Sequence, residues 1–340
     1  MGWWQVNADT LAGSRFVISP LAETFASLKA LTAGTAAHPG ERAWLNAHLP
    51  DHRRRLAADP VTAALVRAGL GPEWIADFLT PTPRGEEDFA TEVARVREAS
   101  PEAARAHLVL ALRGPLPAIL RGRDDLPGRA ADLLTHLWTE AVRPYWPRRR
   151  RVLEADVVAR TAQLSQGGWA AALDAMRPGM RWIGENRLQV NLHEYPPQEI
   201  SGAELLFVPV TPQRHGWVSW EEPDRYAVVY PCSGVLAHTE PSAAHAGPSA
   251  GSVAPESLGR LLGTARAGVL ARLDSPMSTS QLVAVTGQGL GSVGRHLKVL
   301  LDARLVRRRR SGRSVLYYRT AAGEVLLRAQ GAARVPTDRS

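Results

Sequence analysis

Leu290 to Arg319 reads LGSVGRHLKVLLDARLVRRRRSGRSVLYYR, and its texture changes half-way along. The first half spaces Leu290, Val293, Leu297 and Leu300 three and four residues apart, which predicts an amphipathic helix buried along that stripe. Gly291, Ser292, Arg295 and Lys298 then project largely the other way, with His296 at the edge of the stripe. The second half holds two strand-like runs, Leu305 to Arg310 and Val315 to Arg319, joined by Ser311 to Ser314 with Gly312 available for positive φ. That pattern predicts a hairpin carrying Arg307, Arg308, Arg309, Arg310 and Arg313.

Working outward toward the N-terminus, Thr286, Gly287, Gln288 and Gly289 supply a tight turn. Before it, Ser278 and Gln281 have the spacing of a capping box, flanked by Met277 and Leu282 where a hydrophobic staple would sit. A short helix through Val285 is expected. Further back, Leu258, Leu261, Leu262, Ala265, Val269, Leu270 and Leu273 describe one amphipathic helix, ended by Asp274, Ser275 and Pro276. Helix, brief turn and helix make the signature of a DNA-reading motif. A helix held by its apolar face, with small and basic residues opposite, fits the major groove, and a basic hairpin beside it fits the minor groove and phosphates. Gly291 and Gly294 each cost the helix about 1 kcal/mol relative to Ala. Closer approach of the backbone to a target would compensate.

Charge points the same way. The 340-residue chain has a net charge of +8. From Glu256 to Ser340 there are 15 Lys or Arg against 5 Asp or Glu, whereas the first 255 residues hold 26 bases against 28 acids. The excess positive charge sits in the last quarter, and double-stranded DNA leads the candidate polyanions because each neutralised phosphate releases counterions.

The stretch GLGSVGRHLKVLLDARLVRRRRSGRSVLYYR resembles the recognition helix and wing of ArsR-type winged-helix regulators, where a pattern close to SRHLKVLxxAGLV is usual. The resemblance covers about the last 75 residues and implies a winged helix-turn-helix in a DNA-binding transcriptional regulator. Two positions depart from the pattern: Gly294 stands where the family commonly has Ser, and Arg304 where it commonly has Gly. The paired cysteines of the family's metal sensors are absent, so metal sensing is not carried over. Leu205 to Pro209 and Val228 to Pro231 are more weakly similar to the long N-terminal regions of certain ArsR-like regulators.

The remainder of the chain reads as mainly helical. Ser19 with Pro20, and Asp59 with Pro60, are start signals; the apolar sets Leu21, Phe25, Leu28 and Val61, Ala64, Leu65, Ala68 follow them at helical spacing. Further helices are expected around Trp74 to Leu79, Phe89 to Val96 and Leu133 to Ala141. From Met180 to Tyr230 short apolar or alternating runs such as AELLFVPV and RYAVVY give strand signals. The fold class expected is α+β: a mainly helical N-terminal domain with a small antiparallel β region, linked to a C-terminal winged helix-turn-helix. The expected boundaries are 1–236 for the N-terminal regulatory or dimerisation domain, 237–255 for a Pro, Ser, Gly and Ala-rich linker, 256–330 for the DNA-binding domain and 331–340 for a tail.

Several motifs weaken on inspection. Gly289, Gly291 and Gly294 match GxGxxG, but no strand or βαβ unit surrounds them. Gly247, Ser249 and Gly251 match GxSxG inside the linker, where no strained elbow can form. His48 and His52 lack a third ligand and read as surface or interface residues, so no metal and no cofactor is expected. Arg148 to Arg151 reads as a solvated helix face, with a phosphate contact or docking against acidic residues as the alternative. Core packing accounts for most of the ten tryptophans, although Trp138, Trp146, Trp169 and Trp182 could line an apolar pocket. Cys232, the single cysteine, reads as a buried small apolar residue.

No membrane span or signal peptide is read, so a cytoplasmic protein without a membrane partner is expected. The expected role is a homodimeric transcriptional regulator and repressor that reads an inverted-repeat operator, with effector sensing or dimerisation in the N-terminal domain. Arg295 leads the contacts, followed by Ser292 and His296, with Gly291 and Lys298 on the same face and Arg308, Arg310 and Arg313 on phosphates or in the minor groove. No nucleophile, base and orienting group stand at recognisable spacing, which places an enzyme with a basic appendage, or an architectural nucleic-acid binder, behind this reading.

Overall fold

A computed structural model describes residues 2–36, 41–71, 73–174, 176–191, 196–211, 216–221, 223–232, 256–273, 277–311 and 314–328. The linker at 237–255, its GxSxG match, the residues 274–276, Arg313 and the tail at 331–340 lie outside the described residues. The chain divides into two units, one of residues 1–157 and 163–232, the other of 233–340 together with the segment 158–162.

In the N-terminal unit, strand β1 (Trp3–Gln5), helix α1 (Ala8–Gly13) and strand β2 (Arg15–Phe16) lead into α2 (Pro20–Ala33), α3 (Arg42–Ala58), α4 (Pro60–Gly69), α5 (Phe89–Glu98), α6 (Pro101–Leu112), α7 (Leu126–Leu137) and α8 (Trp146–Asp174). The start signals act as the sequence predicts. Ser19 accepts from the Ala22 amide, and Asp59 accepts from the Val61 and Thr62 amides, with Pro at the first helical position in both cases. Trp74 to Leu79, expected to be helical, instead forms a bridge between Leu70 and Ile75 and one 3₁₀ turn at Asp77–Leu79. The apolar spacing is present, but the chain folds back on the end of α4, where the Ala76 amide donates to the Gly69 carbonyl at 3.0 Å instead of to a carbonyl one turn earlier. Helix α7 runs into a π-helical turn at Trp138–Val142, and α8 is interrupted at Gly168, whose φ is 66°.

Six further strands follow: β3 (Arg181–Gly184), β4 (Arg187–Gln189), β5 (Gln198–Glu199), β6 (Glu204–Val210), β7 (Trp217–Glu221) and β8 (Arg225–Pro231). They and the two N-terminal strands make two four-stranded sheets, ordered β3-β4-β1-β5 and β2-β6-β8-β7. The β region is therefore mixed rather than antiparallel: β6 pairs in parallel with both β2 and β8, and β1 with β5. The reason is burial on two faces. Leu206, Val208, Val210, Ala227 and Val229 join the helical core, while Leu205, Phe207, Tyr226, Val228 and Tyr230 pack against the second sheet with Trp4, Leu188 and Ile200. Strands covered on both faces lose polar alternation, as parallel strands characteristically do.

Within the 148–151 run Arg150 and Arg151 are exposed, as a solvated helix face requires, but Arg149 is not. It is fully buried, its Nη1 lies 2.6 Å from Glu23 Oε1 and 2.8 Å from Ser27 Oγ, and its guanidinium stacks 4.7 Å from the Trp44 ring centroid. Glu23 also accepts from the Thr211 amide at 2.8 Å and from the Thr211 hydroxyl. A polar cluster thus ties α2, α3, α8 and the end of β6 together. His52 is likewise buried rather than on the surface, and Cys232 is buried as expected.

Candidate nucleic-acid interface

The C-terminal unit contains α9 (Glu256–Leu262), α10 (Thr264–Arg272), β9 (Met277–Ser278), α11 (Thr279–Thr286), α12 (Leu290–Asp302), β10 (Val306–Ser311), β11 (Ser314–Arg319) and α13 (Ala321–Arg328). Gly263, at φ 82°, splits the single helix expected over 258–273 into α9 and α10. The three-four repeat continues across the break, so periodicity alone could not locate it. Leu261, counted in that stripe, is exposed.

Each local device then sets the angle of the next element. The Ser278 hydroxyl accepts from the Gln281 amide while Gln281 Oε1 accepts from the Ser278 amide at 2.8 Å, a complete capping box. Met277 and Leu282 are buried in the same cluster, as a staple requires. Gly287 takes the left-handed conformation, φ 68°, and ends α11. Gly289 then caps α12. At the far end, the Leu305 amide donates to the Leu300 carbonyl and the Arg304 amide to that of Leu301. This is a Schellman closure that places Arg304 at φ 54°. A position of that kind favours glycine, so the geometry accounts for the glycine usual there and Arg304 occupies it against that preference.

Helix α12 buries Val293, Leu297 and Leu300 against α10, α11 and β10. Leu290, the fourth member of the expected stripe, is 61% exposed. It stands in the first turn, where α12 has only just left the Gly287–Gly289 turn. Gly291, Gly294, Arg295 and Lys298 are exposed, and Ser292 and His296 half-buried. Ser292 Oγ lies 3.4 Å from Gln288 Oε1 and 3.2 Å from His296 Nε2, so an Nε2–H of His296 can donate to a hydroxyl that donates onward to Gln288. Those side chains are tied to their own helix. Arg295 and Lys298 make no ion pair or hydrogen bond among the described residues and extend into solvent.

Strands β10 and β11 pair antiparallel from Val306 with Arg319 to Ser311 with Ser314, forming the expected hairpin. Strand β9 adds to it through Ser278 with Leu316 and Met277 with Tyr317, making a three-stranded sheet that sequence reading missed because a two-residue strand leaves no pattern. The hairpin is thereby anchored to the start of α11. Arg307 and Arg308 are exposed, and Arg307 lies 5.6 Å from the Tyr318 ring centroid. The Arg310 side chain lies outside the described residues. Arg319 is structural: its guanidinium donates to the Leu273 and Ala271 carbonyls and pairs with Glu324 of α13, a helix the sequence reading did not foresee.

Residues 269–308 match the family model described as "Bacterial regulatory protein, arsR family". The C-terminal unit carries an ArsR-type helix-turn-helix. The matched segment starts in α10, includes α11 and α12, and ends in β10, so it covers the capping box, the glycine turn and the exposed face of α12. An ArsR-type helix-turn-helix binds DNA in transcription regulators, here preceded by a long N-terminal region. No curated protein and no solved structure matches the chain. Among the described residues no group of three His, Cys, Asp or Glu could hold a metal ion, and no helix is long and apolar enough to cross a membrane.

Proposed function

We propose that the protein is a homodimeric transcriptional repressor. In this reading α12 enters successive major grooves of an inverted-repeat operator, and the β10–β11 hairpin lies along the neighbouring backbone or minor groove. Arg295 reads a base edge or phosphate, Ser292 and His296 contribute from the same face with Gly291 and Lys298, and Arg308, Arg310 and Arg313 serve the hairpin. The chain acts by binding rather than catalysis, and the N-terminal unit senses an effector or supports the dimer.

One observation carries this reading. An added Cβ at Gly289, Gly291 or Gly294 would meet nothing within 4 Å. The fold itself therefore does not need glycine on this face, although Gly291 and Gly294 cost the helix about 1 kcal/mol each. A face left bare of side chains beside free cations suits close approach of a duplex. Leu261 on α9 and Val325 on α13, both 65% exposed, support a second copy as the cover for the terminal helices.

The test is binding of the full chain to genomic fragments across a salt series. A dimer neutralising about six to ten phosphates should lose about 10³ to 10⁵ in affinity between 50 and 200 mM salt. A flat response, or equal competition by random DNA, would remove the operator-reading role.

A further inference from the structure

The N-terminal unit contains a cavity of about 650 Å³, within the range of small-molecule sites. Its walls come from α2, the loop after α4, the turn after α8 and strand β7. Three tryptophans line it, Trp74, Trp217 and Trp220, none of them among the four singled out from the sequence. Trp74 and Trp220 meet edge to face at 5.5 Å, and Trp217 packs edge-on against Phe25, so the aromatic walls are braced from behind.

Two cations open into this aromatic space. Lys29 reaches over the Trp217 ring, with Nζ 5.0 Å from the centroid, and Arg177 lines the same cavity. Among the described residues neither makes an ion pair or side-chain hydrogen bond, and the buried Nη1 of Arg177 has no hydrogen-bond partner there. Burial pulls Lys29 down to about 8, with the charge of Arg177 adding to the effect, and burial pulls Arg177 down to about 10. The two carboxyl groups on the wall do not relieve them. Glu73 is engaged by Arg113, and burial holds the Asp77 carboxyl above its usual range against the pull of His107 and a hydrogen bond from Trp74. Desolvating two like charges without an internal counter-ion is costly. A fold gains nothing from that arrangement unless a counter-ion arrives from outside.

We propose that this cavity binds a small organic anion, its carboxylate or phosphate headgroup held between Lys29 and Arg177 and its flat apolar body against Trp217, Trp220 and Trp74. The regulatory consequence rests on the effector role proposed above; the binding itself does not. Arg177 supplies directional donors and Lys29 a point charge, a pairing that suits a carboxylate or phosphate oxygen set. The aromatic walls set the shape of the remainder.

The experiment titrates the full chain, by tryptophan fluorescence and thermal shift, with indole-3-carboxylate, 1-naphthoate and phenyl phosphate, with their neutral amides or alcohols, and with inorganic phosphate. At least one aromatic anion should bind saturably and raise the melting temperature, while its neutral counterpart binds at least tenfold more weakly. Stronger binding of the two carboxylates or of phenyl phosphate identifies the headgroup; inorganic phosphate alone should bind weakly. Lys29→Met and Arg177→Met should each reduce the affinity at least tenfold, and Lys29→Met, which removes an unpaired buried charge, should melt higher than the parent. Absence of saturable binding by every aromatic anion, equal binding of the neutral counterparts, or unchanged affinity in both folded variants overturns the site. DNA binding measured in parallel separates the two claims. An anion that occupies the cavity without changing DNA affinity refutes the effector role alone, and intact DNA binding with an empty cavity refutes the site alone.

Discussion

The two units use cations in opposite directions. In the N-terminal unit Arg149, Arg177 and Lys29 point inward, one paired with Glu23 and two facing an aromatic cavity. In the C-terminal unit Arg295, Lys298, Arg307 and Arg308 point outward from a helix and a hairpin whose own cores are apolar. Arg319 is the exception there, spent on carbonyls and Glu324. Net charge alone would have ranked only the second unit as a place where charge matters. Orientation and solvation decide what a cation can do: outward it attracts a polyanion at long range, inward it is either part of the scaffold or a demand for a ligand.

Arg149→Met should produce the largest effect. It strands Glu23 in the core, which should cost about 3–5 kcal/mol of stability, read by urea unfolding of the full chain. Adding Glu23→Gln should recover much of that loss. A change below about 1 kcal/mol in the single variant would mean that the pair is not a buried scaffold element, and the contrast between the units would fail.

Glu92 tests the same interior through pH. Burial raises its carboxyl to about 7, opposed mainly by the Leu21 amide that donates to it at 2.7 Å. The folded state then keeps its proton where the unfolded chain has already lost it, so between about pH 4.5 and 7 this group makes stability fall as pH rises, by up to about 1.4 kcal/mol per pH unit. Above about 7 both states are ionised and the contribution is flat. Glu92→Gln should remove that slope; an unaltered stability profile would show that the buried carboxyl titrates normally.

Arg295→Ala should weaken binding to the preferred DNA site by about 1–3 kcal/mol while leaving the unfolding transition in place, since the side chain is exposed and has no partner among the described residues. Equal loss on random DNA would reassign it from base to phosphate. Gly291→Ala and Gly294→Ala sharpen the comparison furthest: each should raise helix stability by about 1 kcal/mol yet lower DNA affinity. Gains in both would show that the bare face serves no partner.

Local signals were mostly legible where the physics is local. The caps at Ser19, Asp59 and Ser278, the glycine turn at Gly287 and the ends of the 306–319 hairpin all lie within a few residues of the groups they organise. The exposed face of α12 follows from its period, apart from Leu290. The break at Gly263 and helix α13 are local features that periodicity did not reveal; the remaining misses involved distant partners. The strand at Trp3–Gln5 is defined by β4, residues 187–189, and by β5, and the parallel pairing of β6 with β8 by a chain that skips past its neighbour. Of the tryptophans chosen from sequence, the half-buried Trp138 and Trp169 stack against core residues, on Phe89 and Phe207, while those that line the cavity were not distinguishable from them.

By itself the amino-acid order determined that the last quarter of the chain would form a cationic helix pair with a hairpin, because caps, turns and periodicity act over a few residues and charge is simply counted. Tertiary structure alone decided that Arg149 would lie against Glu23, 126 residues away in the chain, and that Lys29 and Arg177 would share one aromatic cavity. Burial depends on which surfaces meet after the chain has closed on itself, and no window along a sequence contains that information.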